Sequence, residues 1–271
     1  MFEILKSVLF GILEGITEWL PISSTGHLLL LDQFLTLNVS ETFKGLFMVV
    51  IQLGAILAVV VLYFSTLNPF AFKKNYEEKK NTWILWLKVI VATIPAGIMG
   101  FLFDDIVGEY LSIWQVIVAA LFVYGILYVV IEKRGKNRVM RVKTIDDMSY
   151  KDALIMGLYQ VLALVPGTSR SGSTILGGII TGIDRPVAAK FSFFMAIPVM
   201  FGASLLKIVK LGFSYSEQEY AVLAVGCIVS FIVSLLVIKS LMIYVRAHDF
   251  SVFGWYRIIL SVVLTVVFLV K

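Results

Sequence analysis

Polar positions are rare along this chain, and where they fall decides what the apolar stretches between them become. A helix that crosses the bilayer core needs about 20 apolar residues, and four runs meet that length outright: 45–65, 84–103, 112–131 and 219–238. Two more are shorter or interrupted by a charge. Residues 191–206 are bounded by Lys190 and Lys207, whose long side chains can snorkel and lengthen the span, and 252–270 qualifies if Arg257 lies near the interface. The pattern predicts six transmembrane helices.

Residues 2–36 and 150–183 are left over, each apolar enough to enter the bilayer but broken midway by a proline and a polar cluster. They are expected as re-entrant helix–turn–helix hairpins. Irregular backbone at membrane depth is tolerated only where protein or a water-filled cavity surrounds it, so a cavity is implied. The two breaks resemble each other, LPISSTGHLLL in the first and VPGTSRSGSTIL in the second. Counted from Pro21 and from Pro166, Ser24 and Ser169 fall at the same offset, and one basic residue follows in each, His27 and Arg170. Three spans follow each hairpin, an odd number, so the second half should be inverted relative to the first. The expected fold is an all-α polytopic membrane protein, with inverted-topology repeats of about 1–132 and 150–271 joined by a basic cytoplasmic loop, 133–149. The two hairpins would dip in from opposite faces and meet near the midplane. A second likeness, TIPAGIMG at 93–100 and AIPVMFGA at 196–203, falls on spans that do not correspond.

Composition agrees with the pattern: of 271 residues, 59% are hydrophobic and only 15% charged, which no soluble core requires. The net charge of +5 does not point to nucleic acid, because the basic residues cluster in short loops rather than on an aromatic-interleaved surface. They set topology instead. The 66–83 connection carries Lys73, Lys74, Lys79 and Lys80, and the next basic one carries Lys133, Arg134, Lys136, Arg138, Arg141 and Lys143, which predicts both on the cytoplasmic side. The 104–111 loop, with Asp104, Asp105 and Glu109 and no basic residue, is expected outside, and alternation brings 239–251 inside and both termini outside. No cleavable signal peptide is expected, since Glu14 and Glu18 interrupt the first apolar run. The lone Cys227 excludes an internal disulfide.

Chemistry concentrates at the two breaks. Glu14 and Glu18, at i and i+4, project from one helix face. Ionised groups at membrane depth are functional candidates by default, the alternative being an interfacial helix with a wet face. Ser23, Ser24 and Thr25 lie between Pro21 and Gly26, with the helix resuming at about His27, so hydroxyls gather at a helix N-terminus that favours anions. N-capping accounts for one hydroxyl, not three and a histidine. The second break adds Arg170, a planar donor suited to phosphate, amid Ser169, Ser171, Ser173 and Thr174, with Gly167 and Gly172 admitting close backbone approach. Arg170 could alternatively form a structural ion pair with Glu14 or Glu18. Together these groups suit phosphoryl transfer on a lipid phosphate. Ser24 is the expected nucleophile, His27 its base, and Glu18 the group that orients His27 or holds a cation. Direct attack by His27 is the rival.

EGITEWLPISSTGH and PGTSRSGST resemble the two signature regions of the undecaprenyl-pyrophosphate phosphatase family, bacterial membrane enzymes associated with bacitracin resistance. The resemblance implies hydrolysis of undecaprenyl pyrophosphate to the monophosphate carrier lipid of cell-wall synthesis, in the plasma membrane, at a site opening to the outer face. Glu14, Glu18, Ser23, Ser24, Thr25, His27, Ser169, Arg170 and Thr174 match the motif positions. It also implies a divalent cation, Mg2+ or Ca2+, which Glu14 and Glu18 could help hold. The implied partners are the isoprenoid pyrophosphate lipid and the membrane, with room for a homodimer. The competing class is a transporter or flippase for an anionic lipid or solute, because inverted repeats with broken helices are transporter architecture. A carrier does not need the Ser24–His27–Glu18 grouping.

The topology is testable directly. Single cysteines at Asn75 and Asn137, in a Cys227→Ser background, should resist an impermeant thiol reagent applied to intact cells, and ready labelling at either would invert the map.

Overall fold

A computed structural model of the chain describes residues 1–106, 110, 111, 113–135 and 139–270. The expected positions Glu109, Lys136, Asn137 and Arg138 lie outside the described residues. Within them the chain is helical: α1 (Phe2–Thr17), α2 (Ser24–Phe34), α3 (Glu41–Leu62), α4 (Phe64–Leu67), α5 (Tyr76–Ile106), α6 (Trp114–Gly135), α7 (Tyr150–Val161), α8 (Arg170–Ile180), α9 (Arg185–Leu211), α10 (Glu217–Ala247) and α11 (Ser251–Val270). Six of these, α3, α5, α6, α9, α10 and α11, are long and apolar enough to cross a membrane. The protein is a multi-pass membrane protein, and each of the six apolar runs falls for most of its length on one of them, 45–65 continuing past the end of α3 at Leu62.

Helix starts follow from local capping. Ser149 and Ser216 open α7 and α10 with reciprocal capping boxes to Asp152 and Glu219. Asp184 caps α9, where Pro186 fits the first turn because its missing N–H would be unpaired there. Helix α9 runs well beyond 191–206 on both sides, taking Lys190 and Lys207 into the helix instead of ending at them.

Helix α10 turns a stripe of small and polar residues inward and large apolar ones outward: Gly226, Ser230 and Ser234 are buried while Ile228, Ile232 and Leu236 are exposed. Lipid tails are as apolar as leucine, so close backbone packing drives helix association in the bilayer. Here the stripe receives Ser7, Gly11 and Gly15 of α1: a Cβ on Gly11 would lie 2.7 Å from the Gly226 carbonyl oxygen, closer than any side chain can come. Ser7 seals the seam by donating to the Val222 carbonyl at 2.6 Å.

Helix contacts come in exchange-related sets. Helix α1 packs on α10 and α7 on α5; α3 packs on α10 and α9 on α5; α3 meets α9, and α6 meets α11. Exchanging α1–α6 for α7–α11, with the short α4 set aside, maps every one of these pairs onto another or onto itself. The likeness between 93–100 and 196–203 has a separate meaning, since these segments place Pro95 inside α5 and Pro198 inside α9, and the two helices pack together.

At one end of the bundle, fully buried Glu132 of α6 pairs with Arg185 of α9 and accepts the Phe250 N–H at 3.1 Å, joining three connections. The 139–149 segment is pinned to the start of α9 by an isolated bridge between Val142 and Ile183.

Arg257 finds its partners within the protein: it is fully buried, its guanidinium donating to the Gly167 carbonyl at 2.8 Å, the Pro21 carbonyl at 3.2 Å and the Leu121 carbonyl at 3.5 Å, above the Tyr124 ring. Pro21 and Gly167 belong to the two helix breaks, so one side chain of α11 binds both turns. The two interrupted helices supply the carbonyls that satisfy its guanidinium inside the protein. Arg257→Met should lower stability by about 2–4 kcal/mol, since buried carbonyls left without donors cost about 1–3 kcal/mol each and partly find others. The check is the thermal midpoint in detergent, with an unchanged midpoint counting against the clamp.

Candidate active site

The two broken pairs, α1/α2 and α7/α8, meet at their turns. The second helix of each begins after a serine in a left-handed conformation, Ser23 at φ 71° and Ser169 at φ 73°, the only non-glycine residues with positive φ among the described residues. Each serine hydroxyl caps its own helix, Ser23 accepting from Gly26 N–H at 3.4 Å and Ser169 from Gly172 N–H at 3.1 Å. This geometry revises the offset counted from the prolines. Ser23, not Ser24, is the counterpart of Ser169, because the second turn contains one more residue and bends at Gly167 with φ 91°. Ser24 and Arg170 therefore share a position, the first residue of a helix.

Both reach the same carboxylate. Ser24 Oγ donates to Glu18 Oε2 at 2.8 Å, and Arg170 Nη2 donates to Glu18 Oε1 at 3.0 Å. Arg170 is further held by the Ser192 carbonyl at 2.8 Å and lies 5.8 Å from the Trp19 ring, itself buried edge-on against Phe193. Its Nε has no protein partner. The ion pair raised as an alternative for Arg170 is thus formed, and formed at the nucleophile candidate.

A cavity of about 210 Å³ opens at this point, lined by Glu18, Ser23, Ser24 and Thr25 from one turn and Ser169 and Arg170 from the other. Gln52 of α3 and the residues that follow the interior prolines, Ala96 of α5 and Val199 of α9, close it. The helix N-termini of α2 and α8 both begin at its wall, which favours an anion there.

The remaining expected residues sit behind the wall. Both ring nitrogens of His27 are engaged away from Ser24: Nδ1 with the Ser23 carbonyl at 2.7 Å and Nε2 with the Tyr256 hydroxyl at 2.7 Å, the two rings stacked. The expected Ser24–His27 pair does not form, because a histidine one helical turn past the cap folds back onto the cap carbonyl. Ser171 donates to the Glu18 and Leu20 carbonyls at 3.1 and 3.2 Å, fastening the second helix break to the first. Thr174 donates back to the Arg170 carbonyl at 2.8 Å and hydrogen-bonds Ser192 at 2.7 Å, steadying the residue that holds Arg170. Glu14 is fully buried one turn before Glu18, and neither carboxylate oxygen has a hydrogen-bond partner.

Sequence reasoning passed over Gln52, Gln160, Ser192 and Tyr256. Gln160 lines the cavity, with both amide atoms buried and unpartnered. Its signal, and that of Gln52, was an amide within an apolar helix, where an unpaired polar group is costly.

The comparisons with known proteins fit this arrangement. Residues 7–263 match the family model described as bacitracin resistance protein BacA. The chain is similar to an undecaprenyl-diphosphatase of Enterococcus faecalis, with 53% identity over 98% of this chain and 97% of the relative. It is similar to the undecaprenyl-diphosphatase of Acetivibrio thermocellus, at 51% over 99% of both chains, and to that of Lactiplantibacillus plantarum, at 54% over 97% and 96%.

Proposed function

The chain belongs to the bacitracin resistance protein BacA family, and from that premise we propose how its cavity hydrolyses the terminal phosphate of undecaprenyl pyrophosphate. The protein is an integral membrane undecaprenyl-diphosphatase: it converts the lipid pyrophosphate and water to undecaprenyl phosphate and inorganic phosphate. That recycles the carrier lipid for wall synthesis and underlies bacitracin resistance.

The observation that carries the mechanism is the shared carboxylate of Glu18. An arriving pyrophosphate is a second anion competing for Arg170, whose planar fork and unpartnered Nε suit phosphate oxygens. When Arg170 turns to the phosphate, Glu18 loses its cation but keeps the Ser24 hydroxyl, and it accepts that proton as Ser24 Oγ attacks the terminal phosphorus. The bond from that phosphorus to the bridging oxygen breaks, and the lipid monophosphate leaves. Water then attacks the phosphoserine, giving inorganic phosphate and restoring the serine. The N-termini of α2 and α8 and the Arg170 guanidinium stabilise the equatorial oxygens throughout. His27 positions the reacting turn by holding the Ser23 carbonyl beside the left-handed cap.

A divalent cation fits the oxygen donors present: the orphaned Glu14 oxygens, Glu18 and the serine hydroxyls are hard ligands, and Mg2+ is commonly held by one or two carboxylates together with substrate phosphates. Bound there, it would supply charge neutralisation of the pyrophosphate. The two broken pairs are read as re-entrant hairpins of an inverted repeat, a reading supported by the exchange-related helix contacts. The Lys and Arg bias of the connections supports a reading with 66–83 and 133–149 in the cytoplasm, and a plasma-membrane location with the cavity opening outward belongs to the same proposal.

Two tests bear on this mechanism. Ser24→Ala should lower turnover by about 10³-fold or more, and acid quench of the unsubstituted enzyme during turnover should trap an acid-stable phosphoprotein at Ser24. Near-normal turnover in Ser24→Ala, or an acid-labile phosphohistidine at His27, would sink it. Glu14→Gln should raise the Mg2+ concentration for half-maximal hydrolysis by about 10- to 100-fold, and an unchanged requirement would remove Glu14 from the ion's surroundings.

A further inference from the structure

The structure holds a larger cavity than the one at Glu18, about 600 Å³, at the end of the bundle where α3 and α10 finish and α5 and α9 begin. The two cavities share no lining residue. Along α9, Lys190 of this cavity and Met200 of the first are separated by ten residues, about 15 Å of helix.

Four cations line it, Lys74, Lys143, Lys190 and Arg246, from four different parts of the chain, against two carboxylates, Glu78 and Asp146. None of the four cations makes an ion pair among the described residues. Lys74 is built into the wall by hydrogen bonds to the Thr82 hydroxyl at 2.7 Å and to the Asn68 and Thr66 carbonyls at 3.0 and 3.2 Å. The Lys190 ammonium sits 5.4 Å from the centre of the Tyr63 ring and 5.8 Å from that of Phe194, an aromatic platform that aligns a cation without neutralising it.

Topology alone asks for basic residues in the connections, solvated and free of any particular arrangement. It does not account for the convergence of four segments on one concavity. We propose that this cavity is a second anion site, taking a phosphate-bearing ligand, separate from the hydrolytic one. A volume of about 600 Å³ is in the range of small-molecule pockets and exceeds what a bare phosphate fills. The same chemistry is offered by free pyrophosphate and by the head of a phosphorylated lipid.

The test uses the full chain carrying Arg170→Ala, so that the first cavity does not compete, in phosphatidylcholine nanodiscs. Equilibrium binding is measured for radiolabelled inorganic pyrophosphate and, separately, for farnesyl phosphate. Saturable one-to-one binding of either is expected, weakened about tenfold when Lys190→Gln and Arg246→Gln are added. Binding of pyrophosphate identifies a free-phosphate site, and binding of farnesyl phosphate alone identifies a lipid-head site. The Lys190→Gln, Arg246→Gln pair in an otherwise unsubstituted chain should still hydrolyse substrate, which shows that it folds; if it does not, Lys143→Gln serves in its place. No saturable binding of either probe, or binding that these substitutions leave unchanged, overturns the proposal.

Discussion

One carboxylate organises this molecule. The two oxygens of Glu18 take the Ser24 hydroxyl of the first broken pair and the Arg170 guanidinium of the second, in surroundings with almost no access to solvent. A buried carboxylate without partners costs several kcal/mol, so the contact works as a constraint on the whole fold: the two helix breaks must meet there. The small-residue seam between α1 and α10 brings Glu18 to the right depth, and the α9 backbone at Ser192 holds Arg170 at the right reach. In the proposed mechanism chemistry then comes from competition: a ligand anion that takes Arg170 frees the carboxylate beside a hydroxyl, so binding and activation of the proposed nucleophile become one event.

Breaking a helix far from water creates a second obligation, because its carbonyls lose their partners. The second half of the chain supplies donors to the first: Ser171 of the second break covers the Glu18 and Leu20 carbonyls. Arg257 of α11 takes one carbonyl from each turn. Two serines in left-handed backbone, each a strained conformation for a residue with a Cβ, persist because their hydroxyls cap the helices that follow. The polar residues at the breaks therefore divide into those that face the cavity and those that hold the backbone facing it, and His27, Ser171 and Thr174 are of the second kind.

That division marks what the sequence made legible. The six spans could be read because the bilayer imposes length and apolarity on every one of them, and the turns because a proline followed by hydroxyls cannot continue a helix. Glu18, Ser24 and Arg170 stood out as polar residues in an oily context. Their pairing did not, since an offset from proline counts residues while the cap depends on dihedral angles, and one extra residue in the second turn shifts the match from Ser24 to Ser23. The partners of Arg257 were hidden for a related reason: a lone arginine in an apolar run carries no mark of the carbonyls, more than 200 residues away in the case of Pro21, that will hold it.

The proposed inverted repeat also explains how a near-symmetric frame supports an asymmetric reaction. Counted back from the two capping serines, Glu14 shares its position with Gln160 and Glu18 shares its position with Leu164. One pair thus offers two carboxylates, where the other offers a neutral amide and an apolar side chain. After the caps the imbalance reverses, a hydroxyl on the first helix standing where the second has a guanidinium. An acidic side suited to a cation and a proton therefore faces a basic side suited to phosphate, across a cavity that both helix N-termini make receptive to anions. A second carboxylate at Leu164 would repel the phosphate, and a second arginine at Ser24 would leave nothing to attack it. In the proposed mechanism, divergence at these few positions turns a structural meeting point into a site with a direction, one end binding charge and the other breaking the bond.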